Sequence, residues 1–332
     1  MTSPVRLISV RQILETSAEE EFIGMRQMND IGRRRTHKSS VSNNESIEDE
    51  SRRRERFSFP SGLVSGCNVS EDTNKYGSPF VEKWYLEFTN GKRKVTFGSI
   101  FPVLVEGLRE EGKTERENVV RDIMDSLNKI KDECFRKREK KRMKELENYC
   151  AKLYTKQCFI YNTVNIALRD NDPNKIRTLG PYCFLLFNYV GRHPENDVLS
   201  HRLSQRSLRP TESPLIRVFR GDYISTEMLQ KYQQAAGDTS KYFKGLSFIS
   251  TSRDREVAEF FARNVVYIIE LQHCPSKDQL VDLSTISDFP DEKEILFQPG
   301  VRFQVAQVKF DDTIRKHLVH INIVPSYMSI LK

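Results

Sequence analysis

Along residues 115–170, apolar side chains recur every three or four positions. Val119, Ile123, Leu127 and Ile130 form one stripe, and Met143, Leu146, Tyr149 and Leu153 resume the spacing. This is the period of one helical face, so the stretch is predicted to be helical. Asn171-Asp172-Pro173 breaks it, because proline cannot continue a helix and Asn and Asp favour turns. A further helix is predicted over 174–190, with Leu179, Tyr182, Leu185, Leu186 and Tyr189 available for burial.

After Pro214 the pattern shortens into β-rich runs. They are predicted as strands over Leu215–Phe219, Leu246–Ser250, Val265–Leu271, Ile295–Phe297, Val301–Phe310 and Leu318–Val324. Helical spacing intervenes at Ser225–Ala236 and Asp254–Arg263. Many strands with few helices between them point to an α+β fold rather than a doubly wound sheet. Upstream, Val81 to Phe97 reads VEKWYLEFTNGKRKVTF, two alternating runs around Asn90-Gly91, which predicts a β-hairpin with Trp84 as a core anchor.

Residues 1–75 are rich in Ser, Asn, Glu and Arg and poor in aromatics. Such a segment buries too little apolar area to offset its ordering entropy, so it is predicted to be mostly disordered, with a short helix near residues 9–28. The triplets Arg33-Arg34-Arg35 and Arg52-Arg53-Arg54 suit nuclear import, anion binding or a solvated tail. The expected organisation is this segment, an unassigned hairpin region over 76–115, and a domain over 116–332 with a helical part (116–200) and a β-rich part (214–325).

Composition narrows this picture only in places. The chain has 332 residues, enough for about two domains. Its net charge of +7 comes from 53 Lys+Arg against 46 Asp+Glu. Nine of those cations and three acids fall within Lys129 to Lys144, so the basic character is that of one predicted helix. A solvated helix face and a surface for nucleic acid or an acidic partner both fit that stretch, which has no interleaved aromatics. No run of some 20 apolar residues is present, and the two ends lack secretory and lipid-anchor patterns, so a soluble intracellular protein without a membrane partner is expected. The expected location is cytoplasmic, with the nucleus open. The six cysteines form no C-x-x-C pair and the six histidines no cluster with them, so neither a metal site nor a disulfide framework is expected.

Three motifs in the β-rich half carry chemistry. In Val218-Phe219-Arg220-Gly221 an arginine leaves a strand beside a glycine; arginine grips phosphate bidentately, and glycine permits close ligand approach. Phe248-Ile249-Ser250-Thr251-Ser252 ends a strand in three hydroxyls before a helix containing Ala258, Phe260, Phe261, Ala262 and Arg263; Thr251 and Ser252 also suit a turn or helix cap. In Asp291-Glu292-Lys293-Glu294, a strand beginning at Glu292 would put Glu292 and Glu294 on one face and Lys293 on the other. Two acids held together suit a site that meets a cation or a developing positive charge, and a solvated acidic loop fits as well.

In this order, the three motifs resemble the arginine-serine-glutamate family of mono-ADP-ribosyltransferases, which includes bacterial toxins and animal arginine-specific enzymes. Tyr232, Gly237, the Ala258-x-x-Phe261-Ala262 pattern and Pro299-Gly300 add to the likeness, as do Leu153-Tyr154-Thr155 and Val164-Asn165-x-Ala167-Leu168-Arg169 upstream. The resemblance covers about residues 148–325 and implies an ADP-ribosyltransferase-like fold: a helical subdomain followed by a two-sheet β core with an NAD cleft. It implies NAD as substrate, no metal, and a protein acceptor with an accessible arginine. By resemblance, Glu294 is the catalytic anion, Ser250 holds it, Arg220 binds the NAD phosphates and Gly221 offers its backbone to nicotinamide. Phe261, or failing it Phe260, would stack on nicotinamide; Arg263 would add a phosphate contact, and Glu292 marks arginine acceptors. Polymerising relatives carry histidine where Arg220 stands, so chain elongation is not expected. An NAD glycohydrolase on the same fold, and a non-enzymatic binding module built on the basic helix, are the alternatives.

Overall fold

The computed structural model describes residues 65–66, 77–91, 94–156, 158–192, 216–271 and 279–324. The expectations for residues 1–75, including the Arg triplets and the short helix, lie outside the described residues, apart from the two-residue strand β1 (Ser65–Gly66).

Among the described residues, six α-helices precede the strand-rich half: α1 (Pro79–Thr89), α2 (Phe97–Glu111), α3 (Glu117–Glu133), α4 (Glu139–Thr155), α5 (Phe159–Asp170) and α6 (Ile176–Arg192). The predicted hairpin over 81–97 is thus a helix and the start of another. Phe80, Trp84 and Phe88 stand four apart, which puts them on one face of a helix as readily as alternation puts them on one face of a strand. Local capping supports the helix: the Ser78 side chain accepts from the Val81 amide and Pro79 occupies the first turn. Asn90 and Gly91 do adopt positive φ (49° and 67°), but as the end of α1 rather than a hairpin turn. Trp84 is a core anchor as expected, stacked on Phe88 at 4.8 Å and against Phe184 at 5.1 Å. α1 and α2 share one core with α4, α5 and α6, so these two helices belong to the helical layer.

The basic stretch 129–144 is likewise not one helix. The chain leaves α3 at Glu133, turns through Cys134–Arg138 and re-enters a helix at Glu139. Between Ile130 and Met143 the apolar stripe lapses, so a continuous helix would have had no face to bury; instead Cys134 is buried at the turn. The Asn171-Asp172-Pro173 break is observed: Asn171 is left-handed (φ 47°) and Asp172 caps the short turn before α6. Leu179, Tyr182, Leu185, Leu186 and Tyr189 are all buried.

The second half contains β2 (Ile216–Asp222), α7 (Thr226–Ala235), β3 (Phe243–Gly245), β4 (Ile249–Ser252), α8 (Arg255–Phe261), β5 (Val265–Leu271), β6 (Leu280–Asp282), β7 (Glu294–Phe297), β8 (Val301–Asp311) and β9 (Lys316–Val324). The strands run in the order β1-β3-β8-β9-β5-β2-β4-β7-β6, antiparallel except for β5–β9. The expected two-sheet core is therefore one hydrogen-bonded sheet among the described residues. It is pinched, however: β2 and β5 share seven register pairs, whereas β2 and β4 share only Phe219↔Ser252. A group of six strands and a group of three meet at that single pair. The overall architecture is α+β: a helical layer followed by a mixed sheet.

Candidate active site

Most of the expected site residues gather at the pinch. A cleft of about 300 Å³, open to solvent, is lined by Phe219, Arg220 and Gly221 from β2, by Ser250, Thr251 and Ser252 from β4, by Val257, Ala258 and Phe261 from α8, and by Glu292 and Glu294.

Arg220 is buried on β2 and bonded across the pinch. Its Nη1 donates to the Ser250 carbonyl at 2.8 Å and its Nε to Asp222 Oδ2 at 3.1 Å. Burial opposes the guanidinium charge, but the Asp222 carboxylate and the hydrogen-bonded Tyr161 hydroxyl outweigh it and hold the Arg220 pKa above its ordinary value. Burial pushes the Asp222 carboxyl up to about 6, against the pull of Arg220 and of the Tyr223 amide, which donates to Asp222 Oδ1 at 2.8 Å. At neutral pH the two therefore form an ionised pair, with side-chain exposures of 6% and 0%.

The serine and glutamate motifs face each other across β4–β7, whose register pairs Ser250 with Leu296 and Ser252 with Glu294. Ser250 and Glu294 are thus diagonal neighbours on one face, and Ser250 Oγ donates to Glu294 Oε1 at 2.5 Å. The other two hydroxyls also have structural work. Thr251 Oγ1 donates to the Ile295 carbonyl at 2.8 Å, and Ser252 Oγ donates to the Glu292 carbonyl at 2.6 Å while accepting from the Asp254 amide at 2.8 Å. The turn reading of Ser252 holds, while the side-chain cap of α8 comes from Asp254.

The acidic motif differs from the predicted strand. β7 begins at Glu294, and Glu292 ends a single 3₁₀ turn (Pro290–Glu292). Pro290 opens that turn and Lys293 follows in the left-handed region at φ 48°, so period-two alternation never reaches Glu292. Both glutamates are nonetheless buried and line the cleft, and Lys293 points to another partner, Asp254 Oδ2 at 2.9 Å. With the Arg253 amide donating to the Lys293 carbonyl at 3.2 Å, these contacts staple the acidic turn to the serine motif.

Gly221 is required by packing: a Cβ there would collide with the Ala258 carbonyl oxygen and the Ala262 backbone, so only glycine lets α8 lie against β2. The small residues of the Ala258-x-x-Phe261-Ala262 pattern are the other half of that contact. Phe261 lines the cleft; Phe260, 42% exposed, packs edge-on against it with ring centroids 5.1 Å apart and is not in the lining. Arg263 is exposed outside the lining, and its amide donates to the Asp222 carbonyl at 3.1 Å. Tyr232 is buried in the sheet's core, and Gly237 ends α7 at φ 80°.

Sequence reasoning missed Asp222 and Tyr161. An aspartate after Arg-Gly reads as a loop residue, and Tyr161 arrives from a helix about sixty positions upstream, so neither carries a local signal. Among the described residues, no group of His, Cys, Asp or Glu is placed to hold a metal ion.

Residues 192–324 match the model of the ADP-ribosyltransferase exoenzyme family, about two fifths of the chain. No curated protein matches. Solved structures similar to the chain include exoenzyme S from Pseudomonas aeruginosa in complex with human 14-3-3 protein beta and bound to carba-NAD. It is 15% identical, with 67% of this chain and 88% of that chain covered and a TM-score of 0.37. HopU1 of Pseudomonas syringae pv. Tomato DC3000, an ADP-ribosyltransferase, is 15% identical, covering 75% and 99%, with a TM-score of 0.41. The ATR domain of Salmonella SpvB is 16% identical, covering 54% and 98%, with a TM-score of 0.39. The family match supports NAD-dependent ADP-ribosylation, an enzymatic activity with NAD as its substrate. The arginine, serine and glutamate motifs all fall within the matched span, and over residues 192–324 the chain is similar to the ADP-ribosyltransferases.

Proposed function

We propose that this chain is an intracellular, cytoplasmic or nuclear, NAD-dependent protein-arginine mono-ADP-ribosyltransferase. The observation that carries the proposal is the buried Ser250–Glu294 hydrogen bond in a cleft that Arg220 and Glu292 also line. In this reading the bond between ribose C1′ and the nicotinamide nitrogen breaks and its electron pair leaves on nicotinamide. The ribose acquires oxocarbenium character, and the Glu294 carboxylate, oriented by Ser250, stabilises it. Phe261 packs on the departing ring, the Gly221 backbone binds the nicotinamide amide, and Arg220 meets the diphosphate with its charge. Arg263, exposed just beyond the end of α8, is available to the far phosphate.

A guanidino nitrogen of the acceptor then forms the new bond to C1′, and Glu292 takes the proton it releases. Arginine as acceptor rests on Glu292 being held in the cleft, its carbonyl fixed by Ser252. The test is a paired measurement of nicotinamide release and of label transferred from NAD to an arginine-rich peptide, with the modified residue mapped by mass spectrometry. Wild type should do both. Glu292→Gln should lower transfer at least tenfold while leaving most nicotinamide release, since NAD cleavage does not need a base for the acceptor. Release without transfer by wild type would make the protein a glycohydrolase, and modification of another residue type would remove the arginine assignment.

A further inference from the structure

The basic stretch 129–144 takes no part in the cleft, and its structure gives it another use. Four of its cations are engaged within the fold: Lys129 pairs with Glu133 at 3.9 Å, Lys137 with Glu145 at 3.2 Å, Lys131 lies over the Phe101 ring and Arg142 over the Phe97 ring. The remaining five, Arg136, Arg138, Lys140, Lys141 and Lys144, are exposed and have no ion pair among the described residues. Just ahead of them in the chain, in the turn before α4, is Phe135. It is 79% exposed, the most exposed large hydrophobic side chain among the described residues. Phe260 and Phe310 at least pack against a neighbouring ring.

This is not a loose loop that happens to show a phenylalanine. Cys134 is buried directly beside it, the Phe135 amide donates to the Asp132 carbonyl at 3.2 Å, and the Lys137 amide donates to the Cys134 carbonyl at 2.9 Å. The Lys137–Glu145 pair ties the turn back to α4. An apolar side chain is therefore exposed at a helix–helix corner with ordered backbone, followed directly in the chain by cations that the fold does not use.

We infer that the turn between α3 and α4 is a peripheral docking point for a bilayer surface carrying anionic headgroups. A specific protein partner requires roughly 800 Å² of shaped surface per side, and one projecting corner supplies a single apolar side chain. Single-stranded nucleic acid is held by successive aromatics, and here there is one. A fluid headgroup layer needs neither: it accepts one apolar plug and responds to summed charge, and the combination of the two signals gives stable attachment where either alone is weak. Among the described residues no helix is long and apolar enough to cross a membrane, so the contact is with the surface only. None of the tip residues lines the cleft, so docking and NAD chemistry are separable.

The test is co-sedimentation of the full chain with vesicles of phosphatidylcholine alone or of phosphatidylcholine mixed with phosphatidylserine. The chain should bind the mixed vesicles and not the neutral ones. Each substitution of the five free cations by glutamine should weaken binding up to about fivefold, with raised salt acting in the same direction. Phe135→Ser should weaken it about tenfold without changing the melting temperature, because the ring is already in water. Binding that ignores phosphatidylserine, or that Phe135→Ser leaves intact, would overturn the proposal. So would capture by single-stranded DNA or polyglutamate as tight as that by the mixed vesicles, which would make the turn a plain cation-exchange surface.

Discussion

The helical layer and the cleft both bury side chains, to opposite effect. In the layer, Phe80, Trp84, Leu104, Leu146, Tyr182 and Leu186 belong to one apolar cluster, and the few polar groups admitted are mostly neutral: Tyr182 donates to the Cys150 carbonyl at 2.7 Å and Asn165 Nδ2 to the Tyr154 hydroxyl at 2.8 Å. At the pinch, the buried residues include Arg220, Asp222, Ser250, Thr251, Ser252, Glu292 and Glu294. Buried ions cost stability unless they are paired, so their concentration in one place marks where the fold sacrifices stability for chemistry. The layer should therefore respond to mutation as a solid, and the cleft as a set of preorganised charges.

The sharpest test of that contrast is Arg220→Ala. It leaves the Asp222 carboxylate buried without its guanidinium, so it should cost about 3–5 kcal/mol of stability as well as NAD binding, read by denaturant unfolding and calorimetry. If stability were unchanged, Arg220 would be a ligand contact and not also the clamp between β2 and β4. Next comes Glu294→Gln, which keeps shape and removes charge. Nicotinamide release should fall about 10²- to 10³-fold with little change in melting temperature, and a rate within a few-fold of wild type would sink the cation-stabilising role. In the layer the reverse holds. Leu104→Ala should cost about 2–5 kcal/mol in unfolding free energy while the specific rate of nicotinamide release by the folded fraction stays the same.

The smallest effect is in pH. Because the Asp222 pKa in the fold, about 6, is raised above its unfolded value near 3.8, the neutral carboxyl is the form the fold favours. Its contribution to stability is fully present below about pH 4 and is lost as pH rises through 6. Paired carboxylates elsewhere, such as Asp254 beside Lys293, are held low and slope the other way. The measurement is therefore a difference: the melting temperature of wild type relative to that of Asp222→Asn, which cannot titrate there, should fall from pH 4 to pH 7. Parallel curves would mean that Asp222 does not titrate in this range.

What is legible in the sequence follows from how local each signal is. β5 is legible to the residue, because its consecutive apolar and β-branched positions admit one interpretation, and the break before α6 is legible from three turn residues. α1 reads as a strand because apolar positions four apart fit two periods, and deciding between them takes the partner helix α6 that buries Phe80 and Trp84. The site follows the same rule. Arg220, Ser250 and Glu294 stand in recognisable strand-end motifs, whereas the conformation of Glu292 depends on a left-handed Lys293 and the pairing of Arg220 on Asp222 and Tyr161. Both depend on tertiary contacts rather than on neighbouring letters.

The pinch in the sheet has a mechanical meaning. With one ladder pair between the six-strand and three-strand groups, the width of the gap is set by side chains, chiefly the Arg220 contact to the Ser250 carbonyl. A molecule that touches Arg220 on one bank and Glu294 on the other would supply the rungs the sheet lacks and complete its secondary structure from outside the polypeptide. NAD should then slow amide hydrogen exchange along β2 and β4 beyond the residues it contacts, so that the substrate acts for the length of its stay as an added strand.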